Sequence, residues 1–150
     1  MLISHHNDIS QAEINQLRNS INNVWRTIYE YLGKNPRIKL EDDAFLKDHW
    51  IMYFGFRKEK AEEFAEFLLS EYFITKRVIS KELSIHDIYQ YIQSLQNSIK
   101  KWYGIKACSS DNEQERQVLE RLNVLGIRYF TPLILAAYSI DSAKTSMLLQ

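Results

Sequence analysis

Two long apolar stripes constrain the fold of this chain more than any other feature. Both repeat at steps of three and four residues, and they comprise Ile14, Leu17, Ile21, Val24, Ile28 and Leu32, then Ile85, Ile88, Ile92, Leu95, Ile99 and Trp102. This spacing places the side chains on one face of an α-helix. We therefore predict two amphipathic helices, the first of about six turns, that lie side by side as the spine of a helical bundle.

Polar residues mark the beginnings of both long helices. Ser10 and Glu13 form a capping-box pattern, which Ser84 and Asp87 repeat. In a capping box the serine hydroxyl accepts a hydrogen bond from the backbone N–H three residues on, and the acidic side chain reaches back to the serine N–H. Gly33 is expected to end the first helix in a left-handed conformation.

Shorter helices are predicted between and after the two long ones. A helix over 44–54 is apolar on most sides and is expected to lie centrally in the core. A helix from about Lys58 to Tyr72 is expected to turn five side chains inward, namely Ala61, Phe64, Ala65, Phe67 and Leu68. A helix over 113–125 that stops at Gly126 is expected to bury Val118, Leu119, Leu122 and Leu125.

The end of the chain carries another helix-start pattern. Thr131 is a cap and Pro132 fits the first helical position, so a helix to Tyr138 is predicted, buried on nearly every face. Asp141 is expected to cap a last short helix that ends at Leu149. Residues 73–83 are compatible with a short strand, but we expect a connecting loop because no partner strand is visible elsewhere.

These patterns predict an all-α fold, an irregular helical bundle of about six to seven helices in one domain spanning residues 1–150. Its 45% hydrophobic and 13% aromatic residues favour a folded core over disorder. The apolar residues near Leu149 are typical of a piece excised from a longer multidomain protein.

Composition also excludes several classes of function. The formal net charge is zero, so the basic surplus of a free-standing nucleic-acid binder is missing. The single cysteine, Cys108, forms no internal disulfide and indicates a reducing compartment. The start has no signal-peptide pattern, and the longest apolar run is far short of a membrane span. We expect a cytoplasmic protein without membrane contact.

No residue pattern predicts a catalytic, cofactor or metal site. The histidines lack metal-ligand spacing, no Gly-x-Ser-x-Gly occurs, and single scattered glycines form no phosphate loop. The carboxylate pairs Asp42-Asp43 and Glu62-Glu63 are explained by helix capping and by a solvated helix face. We expect His49 to be a hydrogen-bonded core or boundary histidine, with a functional role as the alternative.

Three clusters of basic residues are the candidates for contact with DNA or with a partner. Their main members are Arg57, Lys58, Lys76, Arg77, Lys100 and Lys101. If the bundle brought two clusters together, they would form a phosphate-binding patch. Solvated helix ends and loops are the simpler interpretation.

Three segments resemble a known family of proteins. They are INNVWRTIY (21–29), DDAFLKDHWIMYF (42–54) and LGIRYFTPLIL (125–135). Together they resemble the helical region that follows the catalytic domain in the GmrSD-like family of bacterial modification-dependent restriction and phage-defence proteins. The resemblance covers residues 14–138. It implies a ParB-like, nucleotide-hydrolysing domain before this region and often an HNH-type nuclease domain after it.

The catalytic motifs of that family are missing from this chain. Neither an Asp-Gly-Gln-Gln-Arg motif nor a His-Asn-His-type motif occurs, so no catalytic residue carries over. The resemblance predicts a non-catalytic helical module that positions the neighbouring domains or assists DNA contact. The alternatives are a self-standing helical protein–protein interaction domain and, less favoured, an enzyme with an unrecognised site.

Overall fold

The computed structural model describes residues 10–55, 63–126 and 130–140, and every regular element in these ranges is helical. The elements are α1 (Gln11–Leu32), α2 (Asp42–Phe54), α3 (Phe64–Glu66), a π-helix (Phe67–Tyr72), α4 (Thr75–Ile79), α5 (Ile85–Lys106), α6 (Glu113–Leu125) and α7 (Phe130–Ile140). Seven α-helices without a strand in the described ranges confirm the predicted all-α bundle.

Both predicted capping boxes form. The Ser10 Oγ accepts from the Glu13 N–H at 3.2 Å, and a Glu13 carboxylate oxygen accepts from the Ser10 N–H at 2.8 Å. Ser84 and Asp87 make the same pair of hydrogen bonds, at 3.2 and 2.8 Å. These bonds to serine lower the pKa of both carboxyl groups. Caps of this kind each stabilise a helix by about 1 kcal/mol.

The two long helices pack against each other in parallel. At one end a cavity lies between the first turns of both, lined by Glu13, Gln16, Leu17, Ile85, His86 and Tyr89. At the other end the rings of Tyr31 in α1 and Tyr103 in α5 have centroids 5.6 Å apart. Like ends therefore meet, and the chain between the helices must return along the bundle.

Helix α2 makes this return and runs antiparallel to α5. Phe45, near its beginning, meets Trp102 late in α5 with ring centroids 5.5 Å apart. Tyr53, near its end, meets Tyr91 early in α5 with centroids 5.2 Å apart. As predicted, α2 is central: Phe45, His49 and Trp50 are almost fully buried. The layers α1, α5 and α2 build most of the core.

The last two helices both pack against α5. The Asn123 amide in α6 donates to the Ile105 carbonyl oxygen at 3.0 Å, which ties the end of α6 to the end of α5. Helix α7 packs on both α2 and α5. The Lys101 ammonium donates to the Tyr138 carbonyl oxygen at 2.9 Å, so a positive charge meets the C-terminal end of α7, where the helix dipole favours it.

Several expectations about individual helices are wrong. Gly33 has φ −87° and ψ −5°, so its conformation is right-handed. Helix α1 ends because Pro36 disfavours helical conformation at Asn35. The Asn35 side chain instead accepts a hydrogen bond from the Arg37 N–H. In the described part of the predicted helix 58–72, only Phe64–Glu66 is α-helical before the π-helix begins. Ala65, which was expected to face inward, is exposed. Ala61 lies outside the described residues.

The predicted loop over residues 73–83 contains a short helix, α4. Its Val78 is buried, as is Leu83 after it, so tertiary packing overrides the local preference of β-branched residues for extended structure. The short strand that was left open as an alternative does not form there.

The ends of α6 and α7 also differ from expectation. Gly126 stops α6 as predicted and adopts the left-handed conformation, but Leu125 is exposed, and only Leu119 on this helix is fully buried. Thr131 is a buried residue inside α7 and not its cap, and the helix continues to Ile140. Leu133 is exposed, so α7 is not buried on nearly every face. The predicted helix capped by Asp141 lies outside the described residues.

Lys81 provides a test of the α4–α5 connection. This exposed residue has φ +61°, a left-handed conformation that costs a non-glycine residue roughly 1–2 kcal/mol. Because glycine avoids this strain but loses more entropy on folding, we expect Lys81→Gly to raise the free energy of unfolding by about 0.5 kcal/mol in urea titrations. The control Lys76→Gly, within α4, should lower it by about 1 kcal/mol. Equal destabilisation by both changes would contradict the described turn.

Candidate functional site

A contact between the buried His49 and the half-buried Ser94 joins α2 to α5. The His49 Nε2 lies 2.7 Å from the Ser94 Oγ, and the Ser94 hydroxyl donates to the Tyr91 carbonyl oxygen at 3.0 Å. Because the hydroxyl has a single proton, the histidine must then donate from Nε2. The His49 Nδ1 is left as a buried acceptor without a hydrogen-bond partner. The opposite tautomer would leave a buried N–H donor unpaired, which is less common in proteins.

This arrangement does not activate the serine. A general base must offer a lone pair to the hydroxyl, whereas here the His49 Nε2 carries the proton and the Ser94 proton faces the backbone. Aromatic rings enclose the imidazole, with the centroids of Phe45, Tyr53 and Tyr91 within 6.0 Å. Burial lowers the pKa of His49 to about 3, so the ring stays neutral. His49 is therefore a hydrogen-bonded core histidine, as expected from the sequence.

A second polar contact, which is partly buried, joins the same two helices nearer the end of α5. The Trp102 Nε1 donates to the Asp48 carboxylate at 2.8 Å. Burial raises the pKa of Asp48, while this hydrogen bond and the charges of Lys106 and Lys47 oppose the rise. Nothing in the sequence pattern predicts this pair, because its partners are far apart along the chain.

An open cavity of about 330 Å³ adjoins Trp102. The segment before α2 and the ends of α5 and α6 line it, through Ile38, Lys39, Leu40, Glu41, Ala44, Trp102, Lys106 and Asn123. The Lys39 ammonium is 2.8 Å from the Glu41 carboxylate, and the Lys106 Nζ lies 5.8 Å from the Trp102 ring centroid. The lining offers no pair of groups arranged for nucleophilic or acid–base catalysis.

The predicted contact residues lie at opposite ends of α5. Lys76 and Arg77 are on α4, beside the first turn of α5, since the Arg77 charge acts on Asp87. Lys100 and Lys101 are on the last turns of α5, about 20 Å further along at 1.5 Å per residue. Arg57 and Lys58 lie outside the described residues.

Two of these cations already make contacts within the fold. The Arg77 guanidinium lies over the Tyr72 ring, 4.8 Å from its centroid, and 3.5 Å from the Glu82 carboxylate. Lys101 binds the end of α7, as described above. Lys76 and Lys100 are exposed. The described members of the two clusters therefore do not combine into one phosphate-binding patch.

Exposed apolar side chains form the surface feature that the sequence pattern missed. Val124 and Leu125, at the end of α6, are 87% and 68% exposed, and Leu133 and Ile140 on α7 are 66% and 80% exposed. Of these four, Leu125 and Leu133 were expected to be buried from the sequence pattern. Their exposure follows from the position of α6 and α7 at the edge of the bundle, which periodicity does not reveal.

Within the described ranges, no group of three or more His, Cys, Asp or Glu side chains could hold a metal ion. No helix described here is long and apolar enough to cross a membrane. His86 is exposed, as expected, and its ring lies 2.9 Å from the Gln90 amide nitrogen. His5, His6 and Glu62 lie outside the described residues.

No family model, curated protein or solved structure matches this chain.

The neutral, buried His49 predicts a specific dependence of stability on pH. Its folded pKa of about 3 lies below the value near 6.5 of an unfolded histidine, so unfolding takes up a proton between these values. The contribution of His49 to the free energy of unfolding is fully present above pH 6.5. It decreases as the pH falls towards 3, by up to about 1.4 kcal/mol per pH unit. We expect His49→Phe to flatten the unfolding free energy measured by urea titration between about pH 6.5 and 5.

The exposed His86 provides the matched control. His86→Gln should leave the slope of unfolding free energy against pH unchanged, because His86 is exposed to solvent in the folded protein and loses no burial on unfolding. A wild-type slope in His49→Phe over the same pH range would show that His49 is not buried in its neutral form.

Proposed function

We propose that this chain is a non-catalytic helical module of a GmrSD-like restriction or defence protein, which docks onto a neighbouring domain of that protein. The observation that carries the proposal is the exposure of two consecutive apolar side chains, Val124 and Leu125, on the last turn of α6. Contiguous exposed apolar surface marks docking sites, and removing it from water on contact stabilises a complex.

The chemistry of the described residues supports a non-catalytic role. The Ser94–His49 pair has the wrong hydrogen-bond direction for an activated nucleophile. The open cavity beside Trp102 lacks a catalytic pair. The separation of Lys76 and Arg77 from Lys100 and Lys101 favours a protein partner over DNA, since phosphate binding needs neighbouring cations.

The position of Val124 and Leu125 suits a connector. The Asn123 side chain next to them is tied to α5 through the Ile105 carbonyl and is 3.0 Å from the Cys108 Sγ. A partner bound at this turn would thus be held by the α5 spine. The resemblance supplies the partner class, the ParB-like domain that comes before such helical regions.

The test is calorimetric binding of the full chain to a purified ParB-like domain from a GmrSD-like protein. We expect Val124→Asp/Leu125→Asp to weaken binding by at least about tenfold, because a carboxylate would be desolvated at the contact. Ile79→Asp is the matched control, since Ile79 is also an exposed apolar residue but lies on α4. Circular dichroism should show that all variants remain folded.

Duplex DNA serves as the competing probe. Salt-sensitive DNA binding that is lost in Lys76→Ala/Arg77→Ala/Lys100→Ala, with no binding to the ParB-like domain, would overturn the docking proposal in favour of DNA contact. Lys101 is kept unchanged in this variant because its ammonium binds α7. Because Arg77 also contacts Tyr72 and Glu82 within the fold, Lys76→Ala/Lys100→Ala is measured beside it and should show the same loss if the lysines bind phosphate. Equal loss of protein binding in Ile79→Asp would also count against the α6 surface.

A further inference from the structure

The outward face of α7 carries an apolar stripe that is separate from the docking surface proposed above. Leu133 and Ile140 are exposed and lie two turns apart, and the partly buried Ala136 and Ala137 lie between them. Spacings of three, four and seven residues place all four side chains on one side of the helix. The opposite side of α7, including Thr131 and Leu135, is buried against the bundle.

The stripe has an internal symmetry. Its midpoint falls between Ala136 and Ala137, with a large apolar residue three positions beyond each alanine. If two such helices pack antiparallel about a twofold axis through this midpoint, Leu133 of one copy faces Ile140 of the other. Each Ala136 then faces an Ala137, and the small side chains let the helix axes approach at the short end of the usual 8–10 Å range.

The charge distribution favours a second copy as the occupant. Helix α7 contains no Asp, Glu, Lys or Arg, so no like charges oppose each other across the twofold axis. The whole chain has a formal net charge of zero, which removes the general repulsion between copies of a charged protein. A surface that is its own complement needs no other partner.

We propose that two copies of this chain associate through antiparallel pairing of their α7 helices. The stripe contributes only two large side chains per copy, well below the area of a standard stable interface. The dimer is therefore weak, with a dissociation constant of roughly 10 μM to 1 mM.

Sedimentation equilibrium of the full chain over about 1 μM to 1 mM tests this inference. The reductant must be kept in excess, because Cys108 is a free thiol. We expect a reversible monomer–dimer equilibrium, with Leu133→Lys and Ile140→Asp each weakening it by at least about tenfold through desolvation of the new charge. Val124→Asp/Leu125→Asp should leave the dimer unchanged.

A double variant tests the antiparallel geometry itself. In Leu133→Lys/Ile140→Asp the new lysine of one copy faces the new aspartate of the other, so association should recover relative to both single variants. Failure to recover would overturn the antiparallel pairing, and a monomer at every concentration would overturn self-association. Neither result bears on ParB-like domain binding through Val124 and Leu125, which is measured separately.

Discussion

The parallel packing of α1 against α5 is the constraint on which the rest of the bundle depends. Parallel neighbours place like ends of two helix dipoles together, which is unfavourable unless charges of the opposite sign lie there. The N-terminal ends carry the Glu13 and Asp87 carboxylates of the capping boxes. At the C-terminal ends the Lys34 ammonium lies 5.2 and 5.4 Å from the Tyr31 and Tyr103 ring centroids.

This pairing also explains the arrangement of the chain between the two helices. A parallel pair requires a return path, and α2 supplies it while burying Phe45, His49 and Trp50. The return leaves α4 at the beginning of α5 and the last lysines of α5 at the other end. The same topology that builds the core thus separates the two described basic clusters and leaves apolar side chains of α6 and α7 at the edge.

The sequence predicts local features of this fold well and long-range ones poorly. Caps and stripes are local, so the long helices and Ser10 and Ser84 were predicted correctly. Periodicity shows which face of a helix is apolar but not which neighbour covers it, so the exposure of Leu125 and Leu133 was missed. For the candidate site, the core position of His49 was predicted, whereas its Ser94 partner and the Asp48–Trp102 contact depend on the topology.

The distance between the N-terminal ends of α1 and α5 tests the parallel arrangement most directly. Spin labels at Gln16→Cys and His86→Cys in a Cys108→Ser background replace two exposed residues that line the same cavity. Parallel packing predicts that the labels at positions 16 and 86 lie less than about 20 Å apart when measured by pulsed electron–electron double resonance. Because Gln16 lies 16 residues before Leu32 at the end of α1, which is about 24 Å along the helix, antiparallel packing would give a separation of about 25 Å or more and would contradict this account of the fold.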